Sequence, residues 1–67
     1  MMRVIVNGVE KRFEAPLNLY DVLAQEGFVE MLIAVARNGE FVPRSEYKET
    51  VVGEGDQVEI VSPQQGG

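Results

Sequence analysis

The group in this sequence with an evident capacity for chemistry is the carboxylate at its end, carried by the doublet Gly66–Gly67. The 67 residues include no cysteine and no histidine, so thiolate nucleophiles, disulfides, imidazole metal ligands and a Ser-His-Asp triad are excluded. Glycine lacks a Cβ atom, so this doublet could enter a narrow site and adopt backbone angles closed to other residues. A carboxylate is a poor electrophile until it is activated. Any chemistry at Gly67 would therefore begin with activation of this carboxylate.

The doublet alone does not establish a function. Glycine makes up about 7% of average sequences, so two in succession at the end arise by chance in roughly one sequence in 200. A flexible end without function is therefore an alternative. The rest of the sequence is needed to distinguish a functional doublet from a flexible end.

Two other motifs carry no chemistry of their own. The acidic residues Glu54, Asp56 and Glu59 have a spacing that fits no calcium-binding loop, and we expect no metal site. The pairs Asn7–Gly8 and Asn38–Gly39 are turn signals, and no helix follows either pair directly, as a phosphate cradle would require.

Length and charge limit the possible partners. A chain of 67 residues predicts a single domain. The net charge of −5 disfavours binding to nucleic acid or to anionic lipid surfaces, and it favours a protein partner with a basic groove. The alternative is that the acidity serves solubility alone. No apolar run approaches the roughly 18 residues of a membrane span and no leader is present, so a soluble, cytoplasmic protein is expected.

The first half of the sequence predicts a hairpin followed by a helix. β-Branched and alternating residues flank the first Asn-Gly turn. Asn18 is a good N-cap, an apolar i, i+3, i+4 stripe follows it, and Gly27 suits the end of the helix. The predicted elements are strands at Met2–Val6 and Val9–Phe13 and a helix at about Leu19–Glu26.

The second half predicts three further strands and a tail. The apolar run Leu32–Arg37 suits an interior strand, the second Asn-Gly turn leads into Glu40–Val42, and Gln57–Val61 forms a last alternating strand. The segment between them predicts a turn or a single helical turn at 44–47 and a brief extended piece at 49–52. We expect a domain over residues 1–61 and a mobile, solvated tail over residues 62–67.

This order of elements predicts an α+β, ubiquitin-like β-grasp fold. In that fold a mixed sheet of four to five strands carries one short helix on one face. The first and last strands lie side by side and parallel at the centre of the sheet. A ferredoxin-like fold would need a second helix, and an all-β barrel has no place for the helix.

Two segments resemble the ubiquitin-like sulfur carriers of the ThiS/MoaD family, and the ThiS type above all. Ala34–Tyr47 contains an Asn-x-x-x-Val-Pro-Arg core with an aromatic residue three positions after the arginine. Gly55–Val61 is similar to the closing strand of the family, with the terminal glycine six residues beyond it. The resemblance covers essentially the whole chain.

The resemblance implies a carrier that is not itself an enzyme and binds no cofactor. A ubiquitin-activating-type adenylyltransferase (ThiF-like) would use ATP to adenylate Gly67. A sulfurtransferase or cysteine desulfurase would supply persulfide sulfur, which turns the adenylate into a thiocarboxylate. A thiazole synthase (ThiG-like) would accept the sulfur for thiamin biosynthesis. Gly66, Gln64 and Gln65 are expected to thread into and contact the partner.

Two alternatives stay open. Ser62–Pro63 ahead of the glycines is similar to the tail of the small subunit of molybdopterin synthase, so the carrier could serve that or another pathway. In a different class, the chain could be a ubiquitin-like protein modifier conjugated to lysines, or a β-grasp binding module whose tail is inert.

Strand alternation predicts where partners dock. If Val4 and Val6 face the core, Ile5 points to the opposite face of the sheet, and Ala36 and Phe41 follow it by the same reasoning. These three residues could form an apolar docking patch like those with which ubiquitin-like proteins meet their activators. The alternatives are a register shifted by one residue, or a Phe41 that belongs to the core.

Overall fold

The computed structural model describes residues 1–14, 17–28 and 32–62. Within these ranges the chain forms seven strands, one α-helix and one 3₁₀ helix. None of the helical segments in these ranges has the length and apolarity that a bilayer crossing demands. The elements are β1 (Met2–Val6), β2 (Val9–Phe13), β3 (Leu17–Asn18), α1 (Leu19–Gln25), β4 (Ala34–Arg37), β5 (Glu40–Val42), the 3₁₀ helix (Arg44–Glu49), β6 (Val51–Val52) and β7 (Gln57–Val61).

Five of the strands form one mixed sheet in the order β2-β1-β7-β4-β5. The first and last strands, β1 and β7, pair in parallel at its centre, and the other neighbours are antiparallel. The apolar stripe of α1 covers one face. The predicted β-grasp fold is therefore confirmed.

The two Asn-Gly turns attach both hairpins to the central strand β7. Asn7 and Asn38 have φ angles of 50° and 52°, the left-handed region that a type I′ turn needs. The Asn7 side-chain oxygen accepts a hydrogen bond from the Ile60 N–H at 2.7 Å. The Asn38 side-chain oxygen accepts one from the Gln57 N–H at 2.9 Å. Each turn thus reverses the chain and also fixes the hairpin against β7.

The core lies between the sheet and α1. Strand alternation turns one face of β1, β4 and β7 inward, α1 contributes its predicted stripe, and the 3₁₀ helix adds Tyr47. Packing of this stripe holds α1, because a helix of seven residues is unstable alone in water. The buried apolar residues are Met2, Val4, Val6, Phe13, Leu19, Val22, Leu23, Val35, Val42, Tyr47, Val52, Val58 and Ile60.

Several element boundaries differ from the prediction. Strand β4 begins at Ala34 instead of Leu32, and the Leu32 side chain is 71% exposed. An apolar residue next to a strand need not be buried, so composition could not place this boundary. The helix α1 ends at Gln25, one residue earlier than predicted, with Glu26 as its C-cap. The predicted single turn at 44–47 is a 3₁₀ helix that continues to Glu49.

A small second sheet was not predicted. Strands β3 and β6, each of two residues, pair antiparallel, with Leu17 opposite Val52 and Asn18 opposite Val51. The sequence predicted only an extended piece near β6, because strands this short carry no periodicity that could reveal their partner. This pairing ties the start of α1 to the segment that leads into β7.

Asn18 caps α1 as predicted, and its replacement tests the energetic value of the cap. Its side-chain oxygen accepts a hydrogen bond from the Asp21 N–H at 2.8 Å. We expect Asn18→Ala to lower the free energy of unfolding by about 1 kcal/mol, which corresponds to a melting temperature lower by about 4–8 °C in a domain of this size. Thermal unfolding followed by circular dichroism measures the change. Asn18→Ser, which restores a capping oxygen, should retain most of the stability, and equal losses in both variants would contradict the role of the cap.

Candidate docking face and the root of the C-terminal tail

The predicted docking residues lie on the face of the sheet that α1 does not cover. Their strand neighbours Val4, Val6, Val35 and Val42 are all buried on the α1 side. Ile5 and Ala36 are half-buried and Phe41 is 69% exposed, so Phe41 does not belong to the core. The predicted register therefore agrees with the structure. Whether a partner docks here stays a prediction.

The three predicted residues do not form one continuous patch. Ala36 and Phe41 are direct cross-strand partners on β4 and β5. Ile5 lies on β1, and β7 runs between β1 and β4. The outward residues of β7 at this point are polar, because Gln57 is beside Ile5 and Glu59 is beside Ala36. A polar strip therefore separates Ile5 from the Ala36–Phe41 pair.

The apolar surface extends instead toward the end of β7. Ala34 is exposed and pairs with Val61, whose side chain is 61% exposed. Together with Ala36 and Phe41 they form a group that we call the outer apolar face: Ala34, Ala36, Phe41 and Val61. Sequence reasoning missed Val61, although the alternation of β7 already placed it on the side of Glu59. This face adjoins the point at which the chain leaves the sheet.

The predicted tail begins directly after Val61. Ser62, which the prediction assigned to that tail, is buried, with 7% of its surface exposed. Gln64, Gln65, Gly66 and Gly67 lie outside the described residues, as does Pro63. The division of the chain at Val61 and the properties of the tail remain predictions.

The opposite end of β7 is held by a polar network around Asp56. Its carboxylate accepts hydrogen bonds from the Gly53 N–H at 2.8 Å, the Arg37 guanidinium at 3.1 Å and the Asn38 amide at 3.1 Å. Burial raises the pKa of Asp56, but these hydrogen bonds and the Arg37 charge outweigh it, and the net pKa is lowered. Arg37 also donates to the Val51 carbonyl at 2.9 Å. The network joins β4, β6 and the turn before β7, and it lies a strand length away from the tail.

No cluster of three or more acidic, cysteine or histidine side chains suited to a metal ion occurs in residues 1–14, 17–28 and 32–62. Glu54 is engaged elsewhere, because its carboxylate pairs with Arg3 at 3.3 Å. Asp56 is committed to its network. The described residues thus provide a framework and a surface near the root of the tail.

The sequence matches the model of a known protein family. The family model described as the ThiS family matches residues 4–67. The chain belongs to the ThiS family. The resemblance to the ubiquitin-like sulfur carriers, first seen in the Asn-x-x-x-Val-Pro-Arg segment and the closing strand, is confirmed. The matched range includes both glycines of the doublet.

Two solved structures from Geobacter metallireducens, one of them described as the thiamine biosynthesis protein ThiS, share the fold. The crystal structure of that thiamine biosynthesis protein superposes with a TM-score of 0.81 at 28% identity, over 91% of this chain and 93% of the other. A solution structure of a thiamine biosynthesis protein from the same organism gives a TM-score of 0.75 at 28% identity, over 90% and 81% of the two chains.

A curated relative carries a similar segment within a longer protein. The thiazole synthase of Paramagnetospirillum magneticum is 38% identical over 61 residues, which cover 91% of this chain. The match spans 19% of that relative, so the chain corresponds to about a fifth of its length.

Proposed function

We propose that this protein is a cytoplasmic sulfur carrier of thiamin biosynthesis, a protein co-substrate whose chemistry takes place at Gly67. The observation that carries the proposal is the ThiS family match over residues 4–67, which includes the glycine doublet. The sequence holds no cysteine or histidine, so the activating groups and the sulfur would come from partner proteins.

The proposed chemistry has three steps. An oxygen of the Gly67 carboxylate attacks the α-phosphorus of ATP on a ubiquitin-activating-type adenylyltransferase (ThiF-like), and pyrophosphate leaves. The terminal sulfur of a persulfide, supplied by a sulfurtransferase or cysteine desulfurase, attacks the acyl carbon, and AMP leaves. A thiol then cleaves the S–S bond, so that the thiocarboxylate is released and the donor retains a disulfide.

The identity of the acceptor has separate support. The Paramagnetospirillum magneticum relative, named as a thiazole synthase, contains a segment like this chain. We infer that a thiazole synthase (ThiG-like) takes the sulfur. Ser62–Pro63 ahead of the doublet keeps the molybdopterin synthase small subunit as a second candidate.

A discharge assay distinguishes these acceptors. The thiocarboxylated protein would be mixed with a thiazole synthase and its other substrates, or with the large subunit of a molybdopterin synthase and its precursor. Mass spectrometry would then follow the return of the carrier to the carboxylate. Discharge by the thiazole synthase alone supports the proposal. Discharge by the molybdopterin enzyme alone would assign the second function.

The outer apolar face is the surface we expect to meet the adenylyltransferase. It adjoins the root of the predicted tail, so a partner seated there would receive the glycines directly. Ala36→Glu should lower the kcat/KM of adenylation roughly tenfold or more, because docking would strip water from an unpaired carboxylate. The rate of pyrophosphate release measures this. Arg12→Glu, an exposed substitution on β2, is the control and should change the rate little. Equal rates for Ala36→Glu and the unchanged protein would place docking elsewhere.

A further inference from the structure

A groove beside the outer apolar face, with which it shares Phe41, is not explained by the carrier chemistry. It lies between α1 and the 3₁₀ helix and has a volume of about 570 Å³. Tyr20, Leu23 and Phe28 form one wall, and Tyr47 and Ser45 belong to the other. Leu23 and Tyr47 are buried core residues, so packing in the core fixes the base of each wall.

The charges at the groove differ from those of the rest of the protein. Four of the six basic side chains pair with carboxylates: Arg3 with Glu54, Lys11 with Glu26, Arg12 with Glu10 and Arg37 with Asp56. The other two, Arg44 and Lys48, make no ion pair with a described residue, and both line the groove. One carboxylate, Glu49, also lines it. The lining therefore carries a net charge of +1 in a protein whose net charge is −5.

The two cations are positioned along one wall. The Lys48 ammonium lies 4.8 Å from the centroid of the Tyr20 ring, a cation–π contact that holds it above the groove. Arg44 and Lys48 are four residues apart on the 3₁₀ helix, which separates them by roughly 8 Å at about 2 Å of rise per residue. Side chains on alternate residues of an extended segment are roughly 7 Å apart. The backbone positions of the two cations are thus about as far apart as those of two such carboxylates.

Exposed apolar side chains border the same groove. Leu32 and Phe41 both line it and are largely exposed. Single exposed apolar residues are ordinary, but two beside an apolar groove with a cationic wall are typical of a binding surface.

We propose that this groove binds an extended acidic segment of a partner protein. Carboxylates on alternate residues pair with Arg44 and Lys48, and the apolar side chain between them contacts Phe28 on the opposite wall. The charge of the groove, opposite to that of the protein, selects an acidic segment. The site is distinct from the outer apolar face, with Phe41 at the border of both. It does not depend on Gly67 or on the carrier function.

Tyrosine fluorescence gives a direct test. The chain has two tyrosines and no tryptophan, and both tyrosines line the groove. A capped peptide in which glutamate alternates with phenylalanine is titrated into the full chain at low salt, with excitation selective for tyrosine. We expect a saturable change in emission, with an affinity that falls as salt is added. A peptide with glutamine in place of glutamate, and one with serine in place of phenylalanine, should each bind at least fivefold more weakly.

Matched variants locate the binding. Arg44→Gln/Lys48→Gln should weaken binding of the glutamate peptide roughly fivefold to tenfold. Arg3→Gln/Arg12→Gln removes the same charge from β1 and β2 and should change the affinity little. Circular dichroism establishes that both variants are folded. No saturable change in emission, equal losses in the two variants, or equal binding of the glutamine peptide would overturn the proposal. A tyrosine emission per molecule that changes with protein concentration in the absence of peptide would also overturn it. That result would assign the groove to a second copy of the chain.

Discussion

Removal of Gly67 is expected to abolish thiocarboxylate formation and to leave the melting temperature unchanged. The deletion moves the terminal carboxylate back by one residue, about 3.5 Å along an extended chain. A displacement of about 1 Å at a reacting centre already costs about a hundredfold in rate. Residues 63–67 offer only proline, glutamine and glycine, so the sequence gives no reason for the core to depend on them. Intact mass after incubation with the adenylyltransferase, ATP and a sulfur source measures the first effect, and thermal unfolding measures the second.

Gly67→Ala is the matched variant, because it keeps the length of the chain and adds only a methyl group. We expect strongly reduced formation of the thiocarboxylate, since Cβ crowds the carbonyl and restricts the backbone. Full activity in both variants would show that the carboxylate at this position is not the reacting group. A large loss of stability in the deletion would show that the tail is packed on the domain.

Replacement of Asp56 is expected to cause a larger loss of stability than replacement of Asn18 or Glu10. The carboxylate receives three hydrogen bonds, and its side chain is only 17% exposed. Asp56→Ala leaves the Arg37 guanidinium, the Asn38 amide and the Gly53 N–H without this partner. We expect the free energy of unfolding to fall by about 2–3 kcal/mol, measured by urea denaturation. Glu10→Ala, which removes an exposed ion pair with Arg12, should cost well under about 1 kcal/mol. Equal losses in the two variants would contradict the account of the network.

The same network predicts a dependence on pH. The pKa of Asp56 is lowered in the folded state, while in the unfolded chain it has the ordinary value of about 3.9. A lowered pKa stabilises the fold above the unfolded value, and that contribution is lost as pH falls through the folded value. The unfolding free energy should therefore decline more steeply below about pH 4 in the unchanged protein than in Asp56→Asn. Parallel curves for the two proteins would show that Asp56 does not contribute.

Local signals in the sequence predicted much of this fold because each one has a local physical cause. Asn7 and Asn38 next to glycines predict type I′ turns, and the positive φ angles are found there. Asn18 ahead of an apolar stripe predicts the start of α1. Alternation in β1 and β7 predicts which side chains are buried, and their parallel pairing follows from the order of the elements.

Features that join distant parts of the chain could not be predicted in this way. Gly53–Asp56 reads as a turn, but the partners Arg37 and Asn38 of Asp56 are nearly twenty positions away. The pairing of β3 with β6 links two strands too short to show a pattern. The groove between α1 and the 3₁₀ helix exists only once both have packed on the sheet.

For the predicted docking residues, the sequence indicated the orientation of the side chains but not their separation on the sheet. The outward orientation of Ile5, Ala36 and Phe41 follows from alternation and agrees with the structure. The separation of Ile5 from the other two depends on the strand order, which places Gln57 and Glu59 between them.

Fragment mass spectra of the C-terminal peptide would determine whether sulfur replaces an oxygen of the Gly67 carboxylate. The protein would be incubated with a ThiF-like adenylyltransferase, ATP and an isotopically labelled sulfur source, with a second sample lacking ATP. We expect the sulfur-for-oxygen mass difference only in the sample with ATP, confined to fragments that contain Gly67, and labelled with the isotope supplied. An unchanged mass with an adenylyltransferase that charges another ThiS protein, or sulfur on any other residue, would exclude the proposed chemistry at Gly67.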